Sequence, residues 1–302
     1  MPAKPEVSIV IPTRNRQNQL KRLLASISQS MYKDYEIIIV NDGTDTLSLP
    51  NSRHIHIIDN NSNKGLAFSR TRGAQEARGE YVLFIDDDNV INRDMLRILV
   101  TALMNHSTLL AVGPATYYLS NKSKIWFLGS KMNLLTSMPI FKRQYQKEEL
   151  IAGNLLITEN LHNCFMVRKK QGDKVGWFDP FVFMNGTEFD LFQRIKRQYP
   201  SMILAAVTDA MCFHDVPEFH NDLLRSMGFE NKRRVYYFQR NRGLHVGRYG
   251  RLLDKLSLLV VFYPLFLIVY SFLFLYYRRG DFFLAHIRAT FDGYRLLLRT
   301  FI

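Results

Sequence analysis

Cysteine is scarce in this chain: Cys164 and Cys212 are the two among 302 residues, far apart and outside any C-x-x-C pattern. That excludes a disulfide framework and a cysteine zinc site, and it fits a reduced, cytosolic compartment. Acidic residues are also in short supply, 27 Asp and Glu against 40 Lys and Arg, for a formal net charge of +13. Such a balance points to a polyanionic partner: nucleic acid, an anionic membrane surface or a phosphorylated substrate. At the N-terminus the apolar run Val7–Ile11 is too short for a signal peptide and stops at Pro12. What the chain does have is an apolar surplus, 47% hydrophobic against 22% charged, over a length that predicts one two-lobed domain with an appendage.

The apolar residues arrive in alternating periods. Glu6–Ile11 predicts a first strand, stopped by the turn formers and cations of Pro12–Arg16, and Leu20, Leu23, Leu24 and Ile27 then recur at helical spacing. Tyr35–Val40 predicts a second strand ending in Asn41-Asp42-Gly43, and His54–Ile58 a short third one. A helix follows from Asn63 to about Gly79, and then comes Tyr81–Ile85, five apolar, β-favouring residues. This order predicts an α/β fold with a mostly parallel sheet, each strand delivering polar residues at its carboxyl end. Beyond it the pattern predicts a helix over Arg93–Met104, a strand over Thr108–Val112 and an irregular insertion over about 117–146. A strand Cys164–Val167, a turn Trp177–Pro180, a helix Asp190–Gln198 and a strand Ile203–Val207 follow.

Three carboxylates, Asp86-Asp87-Asp88, close the Tyr81 strand. Like charges in sequence repel, so a fold keeps them at a strand end mainly when a cation or a proton relieves them. Strand alternation would place Asp86 and Asp88 on one side and Asp87 on the other, making Asp-x-Asp a clamp for a hard divalent cation that carries phosphates. An acidic turn is the other reading of an isolated triplet.

From Leu256 to Tyr277 no residue is charged, a run long enough to cross a bilayer core of ~30 Å as a helix. Lys255 bounds it on one side, Arg278 and Arg279 on the other, and Pro264 interrupts it. Cations at both ends give the positive-inside rule nothing to choose by. One spanning helix, a bent or interfacial element, and a buried core helix all remain open.

In order along the chain, Val7-Ser8-Ile9-Val10-Ile11-Pro12-Thr13-Arg14-Asn15, Val40-Asn41-Asp42-Gly43, Asn63-Lys64-Gly65 with Arg70 and Arg72-Gly73, and Ile85-Asp86-Asp87-Asp88 form one series. Gly176-Trp177-Phe178-Asp179, Gly186-Thr187-Glu188-Phe189-Asp190-Leu191 and Tyr236-Tyr237 with Arg240-Asn241-Arg242 continue it. The series resembles family 2 glycosyltransferases of the GT-A fold, inverting enzymes that use nucleoside-diphosphate sugars, and covers roughly Val7 to Arg242. The resemblance implies a Rossmann-like, mostly parallel sheet flanked by helices, and the uncharged run beyond it adds a C-terminal apolar, membrane-associated helical segment. Together they divide the chain into a nucleotide-sugar-binding half at 1–116, an acceptor-binding and catalytic-base half at 117–245 and a membrane-associated tail at 246–302.

Carried over position by position, the resemblance implies that Pro12, Thr13 and Arg14 line the nucleotide pocket and that Asp42 accepts from the base. Alone, Asp42 also reads as an Asp-Gly turn. Asn63, Lys64 and Gly65 at a helix start, with Arg70, suit a diphosphate or the base pocket. Asp86 reaches the ribose or donor sugar, Asp87 at the variable middle position is counted with the donor pocket, and Asp88 binds Mn²⁺ or Mg²⁺, with His214 as a second candidate ligand. Glu188 is the implied general base. The family commonly has an acid where Thr187 stands, and Asp190 is expected to cap the helix. Arg240 and Arg242 are candidates for clamping a phosphorylated acceptor. The implied partners are a UDP or dTDP sugar, a lipid-linked or glycan acceptor and the membrane surface, with the catalytic domain cytoplasmic.

No nucleic-acid motif supports the first reading of the basic charge. A looser likeness in Tyr236–Arg242 extends to rhamnosyl transferases. Pro12–Arg16 lacks the glycines of a nucleotidyltransferase phosphate loop, and no Gln-x-x-Arg-Trp of a processive synthase follows Glu188. A membrane-tethered binding protein that keeps the pocket without chemistry is the alternative; the acceptor, the sugar and the oligomeric state are not encoded in these motifs.

Overall fold

The computed structural model describes residues 4–49, 54–143, 149–218 and 223–301. The chain forms two compact units, one of Met1–Lys131, Phe141–Pro180 and Leu191–Glu218, the other of Met132–Ile140, Phe181–Asp190 and Phe219–Ile302.

The first unit is built on an eleven-stranded mixed sheet. Its parallel part comprises β1 (Val7–Thr13), β2 (Tyr35–Asn41), β3 (Ile55–Asp59) and β4 (Tyr81–Ile85), in the order β3-β2-β1-β4. β1 and β4 are buried along their whole length because helices cover both faces. Val7, Ile9 and Ile11 face α1 (Gln17–Ser28) and α3 (Met95–Asn105) through Leu20, Leu23, Ile27, Leu96 and Leu99. Val10, Val82 and Phe84 point the other way, into Ala67 and Ala74 of α2 (Leu66–Glu76), Trp177 and Phe178. Gly73 lets α2 approach, since a Cβ there would strike Val10.

The sheet continues through β5 (Asn89–Ile91), β6 (Leu109–Tyr118), β7 (Ile125–Phe127), β10 (Leu150–Ile151), β11 (Leu155–Thr158), β12 (Cys164–Arg168) and β13 (Ile203–His214), with β12 antiparallel to both β4 and β6. β8 (Gly129–Asn133) and β9 (Met138–Lys142) pair separately.

Several expectations change. β1 runs through Pro12 to Thr13, because its ladder with β4 ends at Val10 and the missing N–H of Pro12 costs no bond to that neighbour. The stretch expected to be irregular holds β7, β8 and β9, half-exposed strands too short to show a period; 144–148 lie outside the described residues. α2 ends at Glu76, three residues before Gly79, whose N–H donates to Ser8 Oγ. A short α4 (Lys169–Val175) follows β12 where the sequence pattern shows no helix, and α5 (Thr187–Gln198) starts three residues before Asp190.

In the second unit, α7 (Lys232–Tyr249), α8 (Leu252–Ser257), a π-helical turn (Leu258–Phe262), α9 (Tyr263–Tyr276) and α10 (Gly280–Leu298) follow the short α6 (Leu223–Ser226). Leu252–Tyr276 is one continuous apolar helix of 25 residues, long enough to cross a membrane. The π turn takes up the misfit just before Pro264, which cannot complete the α ladder. Tyr263, Phe266, Tyr270 and Phe274 form one buried stripe packed with Phe282 and Leu297 of α10. α7 and α10 approach closely at Gly243 and Gly293, where a Cβ on either would strike the other helix or Tyr263.

Candidate functional site

The parallel register sets Thr13 beside Asn41, so the ends of β1 and β2 and the turn after β4 deliver their polar residues to one edge of the sheet. β4 stops at Ile85, and Asp86-Asp87-Asp88 form a tight turn closed by Asn89 N–H to Asp86 O at 3.3 Å. Strand alternation therefore does not govern the triplet: Asp87 and Asp88 share a partner, and Asp86 has another.

Asp86 Oδ1 accepts from Arg70 Nη2 at 2.7 Å. Arg70 is fully buried, with its guanidinium 5.7 Å and 5.5 Å from the ring centres of Phe165 and Phe178, so it serves as a fixed support for Asp86. Asp87 is buried; its Oδ2 accepts from Thr13 Oγ1 at 2.7 Å, and its Oδ1 lies 3.3 Å from Arg16 Nη1. Burial, with the charges of Asp88 and Asp86, pushes its carboxyl up to about 6 against the opposing effects of Thr13 and Arg16. Asp88 accepts from the same Arg16 Nη1 at 2.8 Å, and its Oδ1 lies 3.2 Å from His214 Nε2. Burial would raise the Asp88 carboxyl, but His214 and Arg16 outweigh it and hold it low.

His214 is brought there by a pairing the sequence did not reveal, β13 to β5, which sets His214 opposite Asn89. Trp126 packs edge-on against the imidazole with ring centres 4.3 Å apart. Asn89 and Asn163 exchange side-chain hydrogen bonds of 2.8 and 3.0 Å beneath the turn, and Asp86 N–H donates to Asn163 O.

Asp88 Oδ1 is buried, and among the described residues its partner is the His214 Nε2 contact at 3.2 Å, with no further hydrogen bond; His214 Nδ1 has none. A buried carboxylate oxygen with lone pairs to spare is a natural seat for a hard cation. Carboxylate oxygen with imidazole nitrogen suits Mn²⁺, and Mg²⁺ through the oxygen. Among the described residues no three His, Cys, Asp or Glu side chains gather into a metal cage, so an ion here must complete its shell with phosphate and water. The residues fit a cation carried in with a diphosphate.

At the end of β2, Asp42 is buried and does three things at once. Its Oδ1 accepts from Asn60 Nδ2 at 2.8 Å and from Lys64 N–H at 2.7 Å, and its Oδ2 from Gly65 N–H at 2.9 Å. The backbone donors at the start of α2 are thus already spent on a carboxylate. Of the ~four lone-pair sites a carboxylate offers, about one remains. Asn63 is half-buried and Lys64 exposed; Gly65 (φ 92°) makes the left-handed entry to the helix. Pro12 is buried and Arg14 exposed. Arg16, which follows left-handed Asn15 (φ 54°), faces the carboxylates, a distinction that residue types in the loop did not carry.

The remaining candidates lie in the second unit. Glu188 is buried in the first turn of α5, where its Oε2 accepts from Thr187 Oγ1 at 2.8 Å. Asp190, expected to cap, sits in the fourth helical position, and its Oδ1 accepts from Arg248 Nη1 at 2.7 Å and Tyr249 OH at 2.6 Å. Gly186 (φ 89°) precedes the helix over His245, which a Cβ would strike. Arg240 donates to Phe181 O and Asn241 Oδ1, between the rings of Phe181 and Tyr237. Arg242 donates to Ser137 O at 2.8 Å, with Phe266 and Phe238 ring centres 4.0 and 4.6 Å away. Both guanidiniums are buried and tie loops of their own unit to α7, which accounts for them without an acceptor.

The family model for glycosyl transferase family 2 matches residues 8–175, more than half of the chain. Glycosyltransferase GlyA of Streptococcus pneumoniae serotype 4 is 29% identical over 157 residues, 48% of this chain and 22% of that protein. The GalNAc(5)-diNAcBac-PP-undecaprenol beta-1,3-glucosyltransferase of Campylobacter jejuni is 32% identical over 104 residues, 32% of this chain and 34% of that protein. The chain thus spans from about a fifth to a third of the length of these two relatives. Among solved structures, the mannosyltransferase PcManGT of Pyrobaculum calidifontis, in complex with GDP-Man and Mn²⁺, superposes with a TM-score of 0.55 at 14% identity. That match covers 98% of this chain and 88% of the other, and it shows the expected GT-A fold. The match over residues 8–175 is the ground for the family: the chain belongs to glycosyl transferase family 2.

Proposed function

We propose that this chain transfers a sugar from a nucleoside diphosphate, UDP or dTDP, to a lipid-linked or glycan acceptor at the cytoplasmic membrane face, with inversion at the anomeric carbon. The observation that carries the reading is the partly exposed Asp88 carboxylate, whose buried Oδ1 lies 3.2 Å from His214 Nε2, at the carboxyl edge of a parallel sheet. Asp88 and His214 would hold Mn²⁺ or Mg²⁺, which when bound neutralises the charge developing on the departing diphosphate. Asp86, fixed by Arg70, accepts from hydroxyls of the ribose or donor sugar, and the remaining lone pair of Asp42 accepts from a base N–H. Glu188 takes the proton of the acceptor hydroxyl as that oxygen bonds to the anomeric carbon and the bond to the diphosphate breaks on the opposite face. The proton then passes to water.

Support for the cofactor and the acceptor class comes from the Mn²⁺ of the superposed mannosyltransferase and the polyprenyl-linked substrate in the name of the Campylobacter relative. Membrane attachment rests on the second unit's exposed apolar stripe of Val260, Ile268, Phe272 and Leu275, with Leu284 and Phe291 on α10. α10 packs along α9 and carries Asp281, Arg288, Asp292 and Arg295, each costing about 2.5–3.5 kcal/mol at a bilayer centre. An in-plane, interfacial seat avoids that cost.

The test is release of nucleoside diphosphate from a panel of nucleotide sugars with Mn²⁺ or Mg²⁺, with extracted polyprenyl-linked glycans as acceptors. EDTA-sensitive release from one donor is expected. Metal-dependent donor binding with no turnover on any acceptor would favour a binding protein instead.

A further inference from the structure

Two arginines touch the carboxylate turn, and they differ in how they are held. Arg70 is sealed beneath two aromatic rings. Arg16 has a side chain 52% exposed, and among the described residues its guanidinium bonds to Asp87 and Asp88 alone. Its backbone, in contrast, is anchored: Arg16 O accepts from Leu20 N–H in the first turn of α1, and the preceding Asn15 accepts from Thr44 N–H through its side chain. Arg16 is therefore a flexible arm on a fixed root, lying on the carboxylate that the proposed reading gives to the metal.

A divalent ion on Asp88 would sit within a few ångströms of that guanidinium, and like charges at that range repel. The diphosphate that arrives with the ion offers a planar, bidentate partner of the kind guanidinium binds best. We propose that Arg16 is an exchangeable counter-ion. It neutralises Asp87 and Asp88 before the ion binds, yields Asp88 to the ion, and re-pairs with the donor diphosphate, so that metal and donor bind cooperatively. This rests on the metal reading of Asp88 and adds to it a specific cost on metal binding alone and a gain on donor binding.

The two are separable by measuring binding rather than turnover. Free Mn²⁺ is followed by electron paramagnetic resonance in titrations of the full chain, without nucleotide, for wild type, Arg16→Ala, Arg16→Gln and Asp88→Asn. Binding of UDP, dTDP and GDP is then measured calorimetrically at saturating Mn²⁺. Removing one positive charge beside the ion should tighten Mn²⁺ binding about tenfold in both Arg16 variants, with the difference shrinking at high salt. The same variants should bind the preferred diphosphate about tenfold more weakly. Mn²⁺ binding that is unchanged or weaker in Arg16→Ala and Arg16→Gln, while Asp88→Asn abolishes it, overturns the exchange and leaves the metal reading intact. Tighter Mn²⁺ binding with undiminished diphosphate affinity overturns the re-pairing step. Wild-type Mn²⁺ affinity in Asp88→Asn removes the metal reading, and the exchange falls with it.

Discussion

The two units bury arginines in opposite ways. In the first, Arg70 is buried against a carboxylate whose own side chain is 31% exposed, so the ion pair is locked on one side and open to ligand on the other. In the second, the buried Arg242 meets Ser137 O, the Met138 sulfur, the Tyr270 hydroxyl and two ring faces, with no carboxylate among these contacts. Burial pulls the Arg242 guanidinium below its usual range, with Tyr270 and Tyr263 working against the shift. A cation satisfied by carbonyls and aromatic faces organises structure. A carboxylate turn supported by one fixed and one half-exposed cation keeps oxygens in reserve for a ligand.

The sharpest way to break that comparison is Asp88→Asn, which should lower turnover about a thousandfold and abolish Mn²⁺ binding while leaving the thermal midpoint nearly unchanged. Glu188→Gln should cost about 10²–10³ in turnover with Mn²⁺ and donor binding retained, checked by kinetics alongside calorimetry. Retention of near-normal turnover there would remove Glu188 as the base. Arg242→Ala should act on stability alone, losing about 2–4 kcal/mol in urea unfolding through a cavity and an orphaned Ser137 carbonyl, and Arg242→Lys should not rescue it.

The smallest effect is a divergence with pH. His245 and His286 are buried and held down to about 4 from 6.5, chiefly by burial. Between those values the unfolded chain binds more protons, so the stability they allow above pH 6.5 is lost as pH falls toward 4, by up to about 3 kcal/mol per histidine. Asp87 has the opposite sign: its carboxyl is raised to about 6 from 3.8, so the stability it contributes below 3.8 is lost as pH rises through 6. Trp126 and Trp177, the chain's two tryptophans, both lie in the first unit. Tryptophan fluorescence therefore follows that unit while far-ultraviolet circular dichroism follows the whole chain. On acidification from pH 6.5 to 4 the fluorescence midpoint in urea should hold better than the dichroism midpoint. Coincident shifts would show that the buried histidines do not set the acid response.

What could be read from the sequence had a local cause. β4 with its acidic turn, the strand ends at Thr13 and Asn41, and the apolar helix through Tyr276 all announce themselves by composition or period over a few neighbouring residues. Arg16 could not be told from Arg14, because its partners lie 71 and 72 residues away. Trp126 beside His214 and Asn163 beneath Asn89 are likewise products of strand order. Arg240 and Arg242 read as candidates for clamping a phosphorylated acceptor, and only packing reveals the aromatic rings and carbonyls that hold both guanidiniums inside their own unit.

The sequence by itself determined the α/β class, the family and the segment carrying the acidic triplet, since periodicity and ordered motifs are properties of neighbours along the chain. Only the tertiary structure decided which charges are spent and which stay available: Asp42 on the start of α2, Arg70 on Asp86, and Asp88 shared by Arg16 and His214. The reason is physical. Charge compensation in a folded chain depends on distance and burial, and both are set by sheet register between residues far apart in sequence.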